Sequence, residues 1–233
     1  MSAATSIGDL IRERGITRLC HFAPLLNVHH IIPSNAILSS ARVEEEHPSG
    51  YHPTDLLRLD GRRTHVCASV EFPNVWYLDK LERRADLYPD HAVFLIRPEI
   101  LEMPGVLFSQ RNAAGANAVH LSGVEGFRAI YAPVVVGKGR WVREGGHPPW
   151  LPTDMQAEVL IPDAVPLVLV SGLVVKSEDV AKRFLVQLRA AKTEFRLPII
   201  VSGEMFDRSL VSRLRIGGRR PLEERYRDDR ANG

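Results

Sequence analysis

Met155-Gln156-Ala157-Glu158-Val159-Leu160-Ile161 sets one carboxylate into an apolar run, between a glycine-rich polar loop and a second apolar segment at Val165 to Val170. Its period-two alternation reads as a strand, with Gln156, Glu158 and Leu160 on one side and Ala157, Val159 and Ile161 on the other. A carboxylate among apolar neighbours is costly to bury alone, so Glu158 is expected where the strand opens onto water, a cation or a ligand. The plain alternative is an edge-strand glutamate facing solvent.

Upstream, Ser6-Ile7-Gly8-Asp9 reads as a capping box with Asp in the usual Glu place, and Gly15 as the stop of the same short helix. Arg18-Leu19-Cys20-His21-Phe22 reads as a strand. Pro24 to Ile32 reads as a helix ending before Pro33, which puts His21 near a strand-to-helix junction. Ser39 to Arg63, with Glu44-Glu45-Glu46-His47-Pro48-Ser49-Gly50, reads as a mobile loop, and Asp55 to Leu59 as a helical turn carrying Arg58. Thr64 to Val70 and Ala92 to Ile96 read as strands, with a charged helix from Tyr77 to Leu87 between them.

Phe108 to Ala118, containing Asn112-Ala113-Ala114-Gly115-Ala116-Asn117, is too small and polar for a core strand and reads as a loop lining a site. Gly137 to Pro152 is a second long loop. Beyond the glutamate strand, Ser177 caps a helix running to about Lys192, and Pro198 to Val201 supplies a last strand. Short strands, a few helices and long loops without a regular βαβ rhythm make the fold α+β.

A chain of 233 residues buries one substantial core, and 25% charged with 45% hydrophobic residues is ordinary for a globular domain. Thirty basic against 28 acidic side chains leave a formal charge of +2, too balanced to announce a nucleic-acid partner by itself. Cys20 and Cys67 lack the spacing of a zinc pair or a thioredoxin-like motif and read as reduced thiols. Without a leader pattern or a bilayer-length apolar run, the expected compartment is the cytoplasm, with no membrane partner.

Several chemistries are disfavoured. No Walker-type glycine loop and no G-x-G-x-x-G after a strand is present, and Ser122-Gly123 and Ser171-Gly172 lack the glycine that a nucleophile elbow needs. His29 and His30 are adjacent rather than one helical turn apart, so no metal is expected. Glu158 with Gln156 two residues earlier suits a reaction in which a sugar centre becomes positive, because a carboxylate can hold a ribose hydroxyl and oppose that charge.

The segment from Gly137 to Trp150 interleaves Lys138, Arg140, Arg143 and His147 with Trp141 and Trp150, directly before the glutamate strand. Cations for phosphates and indoles for bases suit a single-stranded nucleic acid; a loop pinned to the core by its tryptophans is the equal alternative. Arg213, Arg215, Arg219, Arg220, Arg225, Arg227 and Arg230 are interspersed with acids and read as a solvated, frayed tail from about position 219.

Three stretches taken in order resemble the DarT family of DNA ADP-ribosyltransferase toxins: Cys20-His21-Phe22 with Leu26-Asn27 and Ile31-Ile32, then Phe108-Ser109 with Asn112-Ala113-Ala114, then Gln156-Ala157-Glu158-Val159-Leu160 with Val165-Pro166. The resemblance implies a single ADP-ribosyltransferase-like domain over 1–233, with a split central β-sheet, flanking helices and long loops. NAD would be bound as substrate, and ADP-ribose passed to a base in single-stranded DNA, or in RNA as the alternative acceptor. A cognate antitoxin, an ADP-ribosyl hydrolase, is the implied partner.

Carried over by motif, Glu158 is the implied catalytic glutamate and His21 the contact to the NAD ribose. Arg58, with Arg63 as second choice, is the implied phosphate-holding arginine, and Asn27, Ser69 and Gln156 are further implied cofactor contacts. The loop before Glu158 is the implied target-recognition segment. The family commonly has threonine before the histidine and aromatic residues near position 70; Cys20 and Ala68-Ser69-Val70 depart from that, which leaves the acceptor base open. An NAD glycohydrolase and a non-catalytic nucleic-acid-binding module are the competing readings.

Overall fold

The computed structural model describes residues 5–47, 60–83, 90–115 and 118–228. Arg58, Arg230, the turn expected at Asp55 to Leu59 and the end of the helix expected to reach Leu87 lie outside them.

The chain opens with α1 (Ile7–Arg14), whose Ser6 and Asp9 exchange both capping-box hydrogen bonds and whose stop is a left-handed Gly15. Strand β1 (Leu19–Pro24) leads through a short 3-10 turn into α2 (Val28–Ile31), then β2 (Ala36–Leu38) and α3 (Ser40–Glu46). The expected loop from Ser39 is therefore helical as far as Glu46: Arg42 pairs with Glu46 one turn on, which favours the helix despite the run of acids.

Next come β3 (His65–Val70), α4 (Val75–Glu82), β4 (His91–Ile96), β5 (Leu107–Ser109), β6 (His120–Ser122) and α5 (Gly123–Ala129). Phe108 is thus a core strand residue rather than the start of a loop, and the irregular segment begins at Gln110. Strands β7 (Val134–Val136) and β8 (Arg140–Val142) form a hairpin, which puts β8 inside what reads as a long loop from Gly137. The order closes with β9 (Glu158–Pro162), β10 (Ala164–Pro166), β11 (Val170–Val175), α6 (Glu178–Ala190), β12 (Ile199–Val201), α7 (Leu210–Gly217) and β13 (Glu224–Arg225).

Nine strands make one sheet in the order β13-β12-β11-β4-β1-β3-β9-β5-β6. Only β11 and β12 run parallel, joined through α6; the other pairs are antiparallel. Strand β4 is buried throughout, and its side chains alternate between two cores: Ala92, Phe94 and Ile96 join Leu10, Phe127, Phe184 and Leu188 on one face, while Val93 and Leu95 join Val75, Leu78, Leu210 and Leu214 on the other. Helices α1, α5 and α6 therefore cover one face, and α4 and α7 the other. Each fully buried large apolar side chain contributes roughly 1.5–3 kcal/mol.

The sheet is nonetheless split. Strand β1 pairs with β4 over six positions but with β3 over only two, Leu19 with Val70 and Cys20 with Ser69. From His21 onward β1 leaves β3, and an opening separates the two halves.

The C-terminal segment is docked rather than frayed as far as Asp228. Glu224 and Arg225 extend the sheet beside β12, Glu223 takes both ends of the Arg18 guanidinium, and Arg220 reaches Glu71 at 2.5 Å. Of the interspersed acids, Glu223 pairs with Arg18 and Asp228 with Arg189. Among the described residues no helix is long and apolar enough to cross a membrane.

Candidate active site

Strand β9 begins at Glu158, three residues later than its alternation suggests. Asp154 is the reason: its side chain accepts the Gln156 backbone N–H at 2.9 Å and its carbonyl accepts that of Ala157 at 2.9 Å, so the backbone closes into a turn instead of a ladder. Asp154 is 3% exposed, and burial pushes its carboxyl above the ordinary range. Gln156 consequently sits in the turn and not on the strand face with Glu158.

Register locates Glu158 in the sheet. It pairs with Ser109 of β5 on one side; on the other, Val159 pairs with Ala68, which brings Glu158 abreast of Ser69. Ser69 in turn pairs with Cys20 of β1. Glu158 is therefore level with the vertex where β1 and β3 part, and His21 lies one residue inside the opening. Strand alternation puts the two side chains on opposite faces, so a ligand touching both must occupy the opening itself.

Glu158 is half-buried and its Oε1 accepts from Asn112 Nδ2 at 3.1 Å. Ser109, directly across the ladder and fully buried, has an Oγ without a hydrogen-bond partner. A buried hydroxyl left unsatisfied costs on the order of 1–3 kcal/mol, the kind of group that a ligand hydroxyl or amide would satisfy. His21 Nδ1 contacts the Cys67 carbonyl at 2.8 Å, and its ring lies 6.2 Å from that of Phe94.

The other nominated contacts are scattered. Ser69 and Asn27 are buried, Ser69 beside the vertex and Asn27 at the turn into α2. Arg63 pairs on the surface with Glu44 of α3, an acid that the sequence places in a loop. Among the described residues no group of three or more histidine, cysteine or carboxylate side chains is arranged to hold a metal. Both cysteines are free, and burial drives the Cys20 thiol up to about 12.

The basic-aromatic segment divides in two. Lys138 and Arg140 stand exposed at the β7–β8 hairpin. Arg143 instead donates to the carbonyls of Leu151 and Pro148 at 2.7 and 2.6 Å, and His147 Nε2 lies 3.2 Å from those of Leu151 and Pro152. Trp150 packs on Phe72 and carries the Arg220 guanidinium 4.4 Å above its ring, while Trp141 stacks between Trp76 and Arg215. For Arg143, His147 and Trp150 the pinned-loop alternative is the one observed.

Sequence reading quoted Ser109 and Asn112 in the resembling stretches and Arg215 in an arginine-rich tail, in each case without a site role, and did not single out Trp76. The turn-forming Asn-Ala-Ala-Gly run was a usable signal for Asn112; the others depend on contacts between elements distant in the chain.

Three comparisons bear on this geometry. No curated protein matches the chain in sequence. Among solved structures, the Thermosipho africanus DarTG in complex with ADP-ribose aligns at a TM-score of 0.58 and 19% identity over 82% of this chain, which spans 51% of that one. The Thermus sp. 2.9 DarT in complex with ADP-ribosylated ssDNA aligns at 0.56 and 14% identity over 83% of this chain and 97% of its own. The same protein in complex with NAD+ aligns at 0.53 and 14% over 82% and 98%. At these identities the structures establish the fold. The family model described as ssDNA thymidine ADP-ribosyltransferase, DarT, matches residues 20–207, a span running from Cys20 beside His21 past Glu158 to the far side of the sheet. The chain belongs to the DarT family.

Proposed function

We propose that this chain is an NAD-dependent ADP-ribosyltransferase acting on a base of single-stranded DNA, with the opening between β1 and β3 as its NAD cleft. The family match over residues 20–207 carries this reading. It is supported by a solved relative seen in complex with NAD+ and, in a second structure of the same protein, with ADP-ribosylated ssDNA. Thymidine is the acceptor that the family's description names, which narrows the base left open by Cys20 and by the Ala68-Ser69-Val70 segment.

On this reading Glu158 accepts the ribose hydroxyl and opposes the positive charge that develops as nicotinamide departs. A base nitrogen then attacks the sugar carbon from which nicotinamide left, and Glu158 takes the acceptor proton if it lies within hydrogen-bond reach. His21 fixes the ribose. The buried Ser109 hydroxyl is one group at the vertex with capacity for a ligand polar atom. Arg58 remains the first choice for the phosphates, because Arg63 is already paired with Glu44. Lys138 and Arg140 supply exposed cations for the DNA strand, with Trp141 and its partner Trp76 as the aromatic surface. An antitoxin partner and a toxin role follow from the same family reading, which the DarTG relative supports.

The test is mass analysis of nucleosides from oligodeoxynucleotides incubated with NAD and either the wild type or Glu158→Gln. A nucleoside heavier by one ADP-ribose, present only with the wild type, is the expected result. Nicotinamide release without modified DNA would identify a hydrolase, and modification of RNA alone would overturn the acceptor.

A further inference from the structure

Asn112 is committed on every side. Its backbone carbonyl accepts the Gly115 N–H at 2.9 Å, its Oδ1 accepts the Ala114 N–H at 3.0 Å, and its Nδ2 donates to Glu158 Oε1 at 3.1 Å. The Ala114 N–H can only donate, so Oδ1 must face it, and the amide cannot flip without losing the turn. A Cβ at position 115 would meet the Asn112 carbonyl oxygen at 3.0 Å, so the glycine keeps that turn tight.

The neighbours of Asn112 brace it from other elements. Ser109 continues the β5 ladder directly opposite Glu158, Gln110 Nε2 donates to the Ala129 carbonyl at the end of α5, and Arg111 Nη1 donates to the Val136 carbonyl of β7. Four consecutive residues thus tie the strand bearing Glu158 to a helix and to the hairpin that carries Lys138 and Arg140.

We infer that Asn112 is a positioning residue for Glu158, its turn-locked amide fixing the rotation of the carboxylate that the proposed ADP-ribosyl transfer requires. The inference rests on that reading for the reaction, but the contact itself can be measured without turnover. The residue type fits. A neutral donor fixes an oxygen of the carboxylate and leaves its negative charge uncancelled, whereas a lysine or arginine there would neutralise the charge meant for the developing sugar cation. An amide also carries no titratable proton to pass to Glu158.

Two variants separate positioning from turn building. Asn112→Ala removes both the donor and the Ala114 acceptor. Asn112→Asp keeps an oxygen for the Ala114 N–H, hence the turn, and replaces only the donor facing Glu158. Asn112→Ala is expected to lower kcat roughly 10- to 100-fold, with the KM for NAD changed far less. Asn112→Asp is expected to be rescued in mildly acidic buffer, where the facing carboxyls share one proton and the introduced group still donates. Its rate should then fall as pH rises and both groups ionise, an alkaline loss absent from the wild type. A kcat equal to wild type in Asn112→Ala, or a wild-type pH profile in Asn112→Asp, would overturn the assignment.

The independent readout is the titration of the Glu158 carboxyl carbon by NMR in protein labelled at glutamate, with Glu158→Gln identifying the signal. Loss of a donor to the charged form should move the midpoint upward in Asn112→Ala. An unmoved midpoint would overturn the positioning role even where turnover is seen. A wild type without turnover but with the shifted midpoint would sink the proposed function and leave the contact standing.

Discussion

His21 Nδ1 lies 2.8 Å from the carbonyl oxygen of Cys67, spanning the two strands at the point where their ladder ends. A carbonyl only accepts, so Nδ1 carries a proton toward it. The histidine is thereby a strut across the opening as well as the proposed ribose contact. His21→Ala should lower stability by about 1 kcal/mol and raise the KM for NAD. His21→Asn, whose amide can reproduce the Nδ1–H bond, should recover the stability but not the KM. Thermal melts together with NAD saturation curves would separate the two; equal recovery of both by asparagine would reduce His21 to the strut alone.

Arg215 of α7 reaches the segment leading to Glu158. Its guanidinium donates to the Val142 carbonyl at 2.9 Å and to the Thr153 carbonyl at 2.7 Å while stacking on Trp141. One forked side chain thus closes the segment from 143 to 152 at its base. Arg215→Ala should cost about 1.5–3 kcal/mol, and Arg215→Lys should not restore it because an ammonium cannot fork. Limited proteolysis should then cut within 143–152, and the KM for oligonucleotide should rise more than the KM for NAD. Proteolytic resistance equal to wild type would remove Arg215 from this role.

What the sequence made legible follows from how local each signal is. The capping box at Ser6 and Asp9, the Gly15 stop, the Ser177 cap of α6 and the apolar runs of β3 and β4 are decided by neighbours within a few residues, and all were readable. The strand holding Glu158 was readable as apolar alternation, but its start was not: Asp154 diverts two backbone N–H groups into a turn. The Arg42–Glu46 pair turns an apparent loop into α3. The docked C-terminal segment was illegible because Arg220 and Glu223 are far in the chain from their partners Glu71 and Arg18 and meet them only after the sheet has formed. Within the site, Glu158 stood out from its apolar strand and its proposed role, like that of His21, came from family resemblance, whereas Asn112 needed the turn geometry to acquire a role.

The C-terminal clamp carries its own expectation. Glu71 is fully buried in a left-handed backbone conformation at φ 65°, where it accepts from the Thr17 backbone and hydroxyl and from Arg220. Removing the cation alone strands a buried carboxylate. Arg220→Ala should therefore destabilise by about 3 kcal/mol, the low end for a broken buried pair because Arg220 is itself 39% exposed. Glu71→Gln combined with Arg220→Ala should cost less than Arg220→Ala alone. Denaturant titration of the two single variants and the double variant gives the coupling directly; additive losses would show that the pair is not the clamp.

Two histidines set a pH dependence of stability. Burial holds His91 below the ordinary histidine range, and burial followed by the charges of Arg143 and Arg215 does the same for His147. Each has a folded pKa depressed below its unfolded value of about 6.5, so the unfolded chain binds more protons between the two values. Their contribution is fully present above about pH 6.5 and is lost as pH falls through the folded values. The melting temperature should accordingly drop on acidification below that point. His147→Gln can keep a donor toward the Leu151 and Pro152 carbonyls without a titrating ring, so it should flatten part of the drop; a curve superimposable on wild type would exclude His147 from the acid response.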